Sequence, residues 1–349
     1  MPAESILPPA LWLGKPYYSL DAYLKSVYGH KCYKIALDAQ MTCPNRDGTL
    51  GSRGCLFCSA GGSGEYAVPG DHISQQLAAG LALFGKKQIG QHFIAYFQAY
   101  TNTYAPTDKL RSLYVQALEH PEVCGISIAT RPDCLPEPVL ELLEELRRAY
   151  PDKFIWIELG LQTIHEKTAR LIRRGYELSC FEVAMGKLRL LGIPSIIHVI
   201  LGLPGETPED MRETITYLNS WQPFGVKLQL LHVLEGTDLA VLYRSGAFSA
   251  LEKEEYLDIL VSCLEQLSPD ILVHRVTGDG PKKLLIAPAW SSDKRDVLNS
   301  LHRKMRLQNT WQGKCYQQHR YREHAWTSPE PDNSRPDNFG PGSSQPVPN

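Results

Sequence analysis

Six runs of β-branched and aromatic residues, each closed by a polar or glycine-containing turn, set the tightest limit on how this chain can fold. They are YKIALDA (33–39), HFIAYFQA (92–99), GISIATR (125–131), FIWIELGLQ (154–162), SIIHVILGL (195–203) and GVKLQLLHV (225–233). Nearly continuous apolar strands belong to sheets covered on both faces. Between them the apolar residues recur at helical spacing: Leu77, Leu81 and Phe84, then Leu110, Leu113, Tyr114 and Ala117, then Val139, Leu142, Leu143 and Leu146. Strand and helix in alternation predict an α/β fold with a parallel sheet, either a β/α barrel or an open doubly wound sheet. In both, the chemistry lies at the C-terminal ends of the strands. Two helix starts carry capping patterns, Thr163 with Glu166, and Thr207 followed by Pro208, Glu209 and Asp210.

A chain of 349 residues, 43% hydrophobic and 21% charged, makes one large globular domain or two modest ones. A formal net charge of −2 excludes a nucleic-acid footprint spread over the whole chain, so any basic surface must be local. The first residues lack the pattern of a signal peptide, and no stretch approaches eighteen uninterrupted apolar residues. A cytoplasmic protein with no membrane partner is the expectation. Residues 325–349, rich in Pro, Ser, Asn, Asp and Gly, read as a disordered tail.

The nine cysteines are odd in number and unevenly spaced, unlike a secreted disulfide framework. Three of them, Cys43, Cys55 and Cys58, fall in CPNRDGTLGSRGCLFC directly after the first expected strand. A loop carrying Gly48, Gly51 and Gly54 can wrap closely round an inorganic cluster, because glycine reaches conformations closed to other residues. Three thiolates leave one iron of a [4Fe-4S] cluster without a protein ligand, open to a small molecule. The alternatives are a zinc site completed by His30 or Cys32, and unrelated structural cysteines. Cys32, Cys124, Cys134, Cys180, Cys263 and Cys315 show no second ligand spacing.

The Cys55-Leu56-Phe57-Cys58 element resembles the CxΦC that ends the three-cysteine loop of the radical S-adenosylmethionine (SAM) superfamily. The long spacing from Cys43 is similar to the YhcC/YtqA family, itself distantly similar to the catalytic subunit of Elongator, with matching stretches over most of residues 28 to 315. The resemblance implies a partial (β/α)6 TIM-like barrel over residues 28–245, preceded by an N-terminal extension (1–27) and followed by a helical, basic C-terminal extension (246–324). It implies a [4Fe-4S] cluster on Cys43, Cys55 and Cys58, whose open iron chelates S-adenosyl-L-methionine. An electron from a reductant such as flavodoxin or ferredoxin then splits it into methionine and a 5′-deoxyadenosyl radical.

The same resemblance points to cofactor contacts. Phe57 would supply an aromatic wall. Gln98, Thr101 and Asn102 stand where the superfamily often has Gly-Gly-Glu, a motif absent here, with turn capping as the other reading. Thr130 and Arg131, with Asp133, end the third strand as an active-site pair or a salt-bridged corner. Glu158 and Gln162 in IELGLQT match an element that lies against SAM, and a carboxylate inside an apolar strand must find a partner. Arg174, with Arg173 and Gly175, resembles an RRG element that binds the methionine carboxylate, or else forms a solvated pair at a helix end. Ile200 and Gly202 would pack under the adenine.

Between Leu301 and Arg322 lie Arg303, Lys304, Arg306, Lys314, Arg320 and Arg322 with no acidic residue, interleaved with Trp311, Tyr316 and Tyr321. Such a stretch suits phosphates and unpaired bases, or a solvated helix with an apolar anchor. LQNTWQGKCY (307–316) resembles the YtqA-like, or MnmL-like, branch. This implies a tRNA substrate, with the carboxymethylaminomethyl side chain of the wobble uridine taken to aminomethyl and a methyltransferase acting downstream. His232, Glu235, His274, Arg275 and Asp279 stand where a substrate would enter. The alternatives are a radical SAM enzyme acting on a small metabolite or peptide, and a noncatalytic metal-containing RNA-binding protein.

Overall fold

The computed structural model describes residues 12–62, 64–68, 70, 72–84, 92–278 and 280–317. The expected tail, Asp279, and Arg320, Tyr321 and Arg322 of the basic stretch lie outside them. Seven parallel strands form one curled sheet, an open half-barrel. Its first six are β1 (Tyr33–Leu37), β2 (Phe93–Phe97), β3 (Val123–Thr130), β4 (Phe154–Gln162), β5 (Ser195–Leu201) and β6 (Gly225–Leu230). They pair in chain order, and β8 (Leu272–Arg275) adds the edge beyond β6. A short antiparallel pair, β7 (Val233–Leu234) with β9 (Leu285–Ala287), lies outside the main sheet.

The six expected strands are β1 to β6, although β1 stops at Leu37. The seventh comes from a segment read as part of the C-terminal extension. Its four residues, LVHR, are too short and too mixed to announce a strand. Ser19 in turn bridges to Val273, and the Val273 N–H donates to the Tyr18 carbonyl at 2.8 Å, so the N-terminal segment covers the free edge of β8.

Residues two apart on a strand face the same way. One set, with Ile35, Phe97, Ile126, Ile157, Val199 and Leu228 among it, packs against the helices to form the main core. Those helices include α2 (Ile73–Phe84), α3 (Thr107–Leu118), α4 (Glu137–Ala149), α6 (Leu178–Leu190), α7 (Pro208–Trp221) and α9 (Lys253–Gln266). The opposite set faces the barrel interior. At the N-terminal end of the strands Ile94, Cys124, Trp156 and Ile196 join Cys32 and Leu24 of α1 (Leu20–Tyr28) in an apolar plug. Both faces are thus apolar at the bottom of the barrel, which is why the strands read as unbroken runs.

Thr207 forms its expected capping box with Asp210 at the start of α7. Thr163 does not cap a helix. Its hydroxyl accepts from the His165 N–H at 3.1 Å, and α5 (Glu166–Leu171) begins later with no side-chain cap. Glu166 faces Arg174 (2.9 Å) and the Leu178 N–H (2.7 Å), drawn there by a buried guanidinium stronger than an exposed N-cap.

Gln312, 1% exposed, follows α10 (Lys294–Leu307) and ties three parts of the chain together. It donates to the carbonyls of Ser268 (2.7 Å) and Ile271 (2.8 Å) and accepts from the Tyr18 N–H (2.9 Å). Gln312→Ala strands these backbone groups, and urea unfolding is expected to show a loss of about 2–4 kcal/mol.

Candidate active site

The loop after β1 is shaped by its own backbone and by distant segments. Inside it, Arg46 N–H donates to the Cys43 carbonyl (2.8 Å) and Gly54 N–H to the Asn45 carbonyl (2.7 Å). Gly54 sits at φ +72°, and a Cβ there would lie 2.9 Å from Arg46 Nε, so only glycine fits. From outside, Leu56 N–H donates to the Ile172 carbonyl (3.0 Å) and Leu56 accepts from the Leu239 N–H (3.0 Å).

The result places Cys43, Cys55 and Cys58 on one cleft at the strand C-terminal ends, with about 1450 Å3 of empty space including its mouth. Each sulfur has a donor or a cation beside it. Asn45 Nδ2 donates to Cys55 Sγ at 3.3 Å, Arg131 Nη1 stands 4.0 Å from Cys43 Sγ, and Arg46 neighbours Cys58. Burial pushes the Cys55 thiol up to about 12, with the Cys58 thiol adding to it, and burial also raises Cys58. Such thiols give up their protons to a metal rather than to water. The group fits an iron–sulfur cluster whose added negative charge the two arginines and the amide would offset. It does not fit the zinc alternative. His30 stacks on His92 with ring centroids 4.9 Å apart, before β1, and Cys32 lies in the apolar plug, so both suggested fourth ligands are at the other end of the barrel.

Phe57, Gln98, Thr101, Thr130, Arg131, Glu158, Gln162, Arg174 and Ile200 line this cleft. Asn102 and Gly202 do not. Asn102, fully buried, donates to the carbonyls of Phe97 (3.1 Å) and Ala129 (3.0 Å) and ties β2 to β3. Gly202, at φ +87°, donates to Met211 Sδ at 3.3 Å behind the strand ends, where a Cβ would lie 2.8 Å from Leu251. Gln162 keeps its Oε1 buried without a partner, an acceptor available to a ligand.

Arg131 forms its expected corner with Asp133, at 2.6 and 2.9 Å, and also donates to the Arg174 carbonyl at 3.1 Å. Arg174, 2% exposed, directs its guanidinium to the carbonyls of Leu161, Thr163 and Tyr176 and to Glu166. Arg173 donates to the Gly54 carbonyl (2.9 Å) and to Asp238 (2.6 Å). Both arginines clamp the turn that supports the cysteine loop, and neither is the solvated pair of the other reading.

Below the cleft Glu158, with no exposure, is the centre of a polar layer that the sequence did not reveal. Its Oε1 accepts from Lys34 (2.8 Å) and Ser127 (2.6 Å). Its Oε2 meets His198 (2.8 Å) and Lys227, whose ammonium also donates to Tyr96 Oη (3.0 Å). Burial alone would raise this carboxyl, but Lys227 and Lys34 hold it well below its ordinary value. Burial, reinforced by Lys227, pushes His198 down to about 4 against the pull of Glu158, so at neutral pH the ring is an uncharged donor.

A three-cysteine loop above an open parallel barrel, with a polar cleft at the strand ends, defines a class of cofactor-dependent barrel enzyme. The model described as the radical SAM superfamily matches residues 48–218, and the Radical SAM C-terminal domain matches residues 223–306. YtqA of Bacillus subtilis is 42% identical over 87% of this chain and 94% of its own length. YhcC of Escherichia coli is 35% identical over 76% and 85%. More distantly, the tRNA uridine(34) acetyltransferase of Dehalococcoides mccartyi is 27% identical over 52% of this chain and 40% of its own. Among solved structures, archaeal Elp3 of Methanocaldococcus infernus shares the fold, with a TM-score of 0.61 at 15% identity over 80% of this chain and 64% of that one. The chain belongs to the radical SAM superfamily, in the family of YtqA and YhcC. It is a radical SAM enzyme, and its cofactors are a [4Fe-4S] cluster and S-adenosyl-L-methionine.

Removing the central carboxylate leaves two lysines facing one another in the barrel. Glu158→Gln is expected to destabilise the fold by about 3–5 kcal/mol at pH 7 in urea melts. Because the folded-state value is depressed, the carboxylate's contribution is complete above the unfolded value of about 4.3 and is lost as pH falls through the folded one. The gap between wild type and variant should therefore narrow in acid.

Proposed function

We propose that Cys43, Cys55 and Cys58 hold the [4Fe-4S] cluster with one iron open, and that the enzyme modifies the wobble uridine of tRNA, taking a carboxymethylaminomethyl side chain to aminomethyl. The observation that carries the first part is the convergence of three half-buried cysteines, each beside Asn45, Arg46 or Arg131, on one cleft. Cys43, Cys55 and Cys58 would hold the cluster, which when bound and reduced would supply the electron for reductive cleavage of SAM. The chain's own part is to hold and to shield. Gln162 Oε1 offers an acceptor to a SAM donor, Phe57 and Ile200 give apolar walls, and the plug beneath the polar layer keeps water from entering below.

Two things support the RNA reading. One is similarity to a tRNA uridine(34) acetyltransferase across half of the chain. The other is the surface of α10 and the turn after it, where Arg303, Arg306 and Lys314 are exposed and Lys314 lies over Trp311 at 5.3 Å. Lys304 contributes less, since it pairs with Glu254 (3.2 Å) and Asp258 (2.5 Å) on α9. Phosphates could be met by the exposed cations while a splayed base enters the cleft. In this reading the enzyme works in the cytoplasm with a flavodoxin or ferredoxin as reductant, and a methyltransferase consumes the product. Among the described residues no helix is long and apolar enough to cross a membrane.

The test is anaerobic reconstitution of the full chain with tRNA from a strain lacking it, followed by mass spectrometry of the nucleosides. Loss of the carboxymethylaminomethyl nucleoside with gain of the aminomethyl one is expected. Alanine at any of the three cysteines should reduce cluster absorbance and 5′-deoxyadenosine release to background. SAM cleavage with unchanged nucleosides would instead favour a small metabolite or peptide.

A further inference from the structure

The outer side of the cysteine loop carries groups that the cleft does not use. Residues 47–50, 52 and 53 are exposed. The α-carbons of Arg53 and Cys55 are at most about 7 Å apart, the reach of two residues, so this surface lies close to the sulfurs. Arg53 and Arg173 both donate to Asp238 Oδ2, at 2.8 and 2.6 Å. The loop, the end of α5 and the start of α8 (Asp238–Arg244) therefore meet at one carboxylate. Around it cations outnumber anions. Lys167 and Arg170 are exposed and three apart on α5, so they share a face, and with Arg53 and Arg173 they stand against Asp238 and Asp47. Glu166 is taken up by Arg174, and Arg244 pairs with Glu235. Apolar side chains are exposed on the same three segments. Leu50 is 54% exposed, Leu171 47%, and Val241, one turn along α8 from Asp238, 63%.

Apolar groups rimmed by charge mark a docking surface. These three are aliphatic and give an unpaired base nothing to stack on, so the surface suits a protein better than an RNA. Its place says which protein. Electron transfer weakens steeply with distance, and a carrier seated here meets the cysteine loop from outside while the cleft stays open to SAM and substrate. Complexes of electron carriers are small and transient, and opposite charge steers them together. The surface shares no residue with the basic face of α10, so the two partners do not compete for one site. We propose that Arg53, Lys167 and Arg170, with Leu171 and Val241, dock an acidic one-electron carrier protein. The carrier is oxidised by one electron and the cluster is reduced by one. The assignment rests on the three-cysteine cluster and on a protein as the reductant.

Lys167→Glu with Arg170→Glu reverses two exposed charges, and Val241→Asp puts a carboxylate on the other helix. Calorimetric titration of the cluster-loaded full chain with a flavodoxin at low salt should give a Kd raised about tenfold or more in each variant. Release of 5′-deoxyadenosine driven by the reduced flavodoxin should fall by a similar factor, while release driven by dithionite, which needs no docking, stays within about twofold. Salt should weaken flavodoxin binding to the wild type more than to the charge-reversed variant. Wild-type binding and turnover with flavodoxin in both variants overturn the assignment. So does weakened tRNA binding with flavodoxin binding unchanged, which gives the surface to RNA. If the wild-type enzyme takes electrons from dithionite but from neither a flavodoxin nor a ferredoxin, the protein-reductant reading has failed and this assignment falls with it. A wild-type chain that shows no cluster absorbance means instead that the cysteine reading has failed.

Discussion

A single carboxylate organises the barrel. Glu158 is in the middle strand, and the side chains that reach it come from β1, β3, β5 and β6, with Tyr96 of β2 joined through Lys227. In a flat sheet β1 would lie three strand spacings from β4, roughly 14 Å. Side chains stand off a flat sheet rather than lie along it, so a lysine and a glutamate that far apart would not meet, yet the Lys34 ammonium is 2.8 Å from the carboxylate. The contact therefore requires the curl, and the curl needs some such contact, since inward-facing lysines in a parallel barrel have no other anion among their described partners. Burying a charge this deeply is tolerated only when its lone pairs are met, and here both oxygens are.

That layer also sets the depth of the site. Beneath it Trp156, Ile94 and Ile196 close the barrel, and above it the strand ends open into the cleft. A ligand entering from the top thus meets a floor already satisfied by internal ion pairs, with little to gain by displacing them. Among the residues that line the cleft, the Oε1 of Gln162 is buried without a partner. A polar atom with an unmet hydrogen bond on the cleft wall marks where binding energy remains available.

The sequence disclosed what depends on short-range pattern. Six strands, the capping box at Thr207 and the three-cysteine loop all follow from residues within a turn or a strand of each other. What it hid depends on partners far along the chain. A carboxylate in an apolar strand had to have a partner, but nothing near Glu158 in the sequence named it, because its two lysine partners are 124 and 69 residues away. Asn102 looked like a cleft residue because it ends a strand, but its amide ties two strands together from behind. The strand at 272–275 was missed for a different reason: it forms by completing an edge, not by any strong preference of its own four residues.

The arginine pair after α5 shows how far such remote support extends. Arg174 fixes the turn by donating to the Tyr176 carbonyl within it and to the carbonyls of Leu161 and Thr163 at the end of β4, and the Arg173 carbonyl accepts from Asn45 Nδ2 at 2.8 Å across 128 residues. The same amide donates to Cys55 Sγ. Gly175, at φ +85°, lets this happen, because a Cβ there would lie 2.5 Å from Asn45 Oδ1. The RRG stretch thus acts on the cysteine loop through Asn45 and through the Arg173 guanidinium, which donates to the Gly54 carbonyl. A loop rich in glycine has too little local structure to hold three sulfurs in place, and its geometry is supplied by a rigid turn from the far half of the barrel.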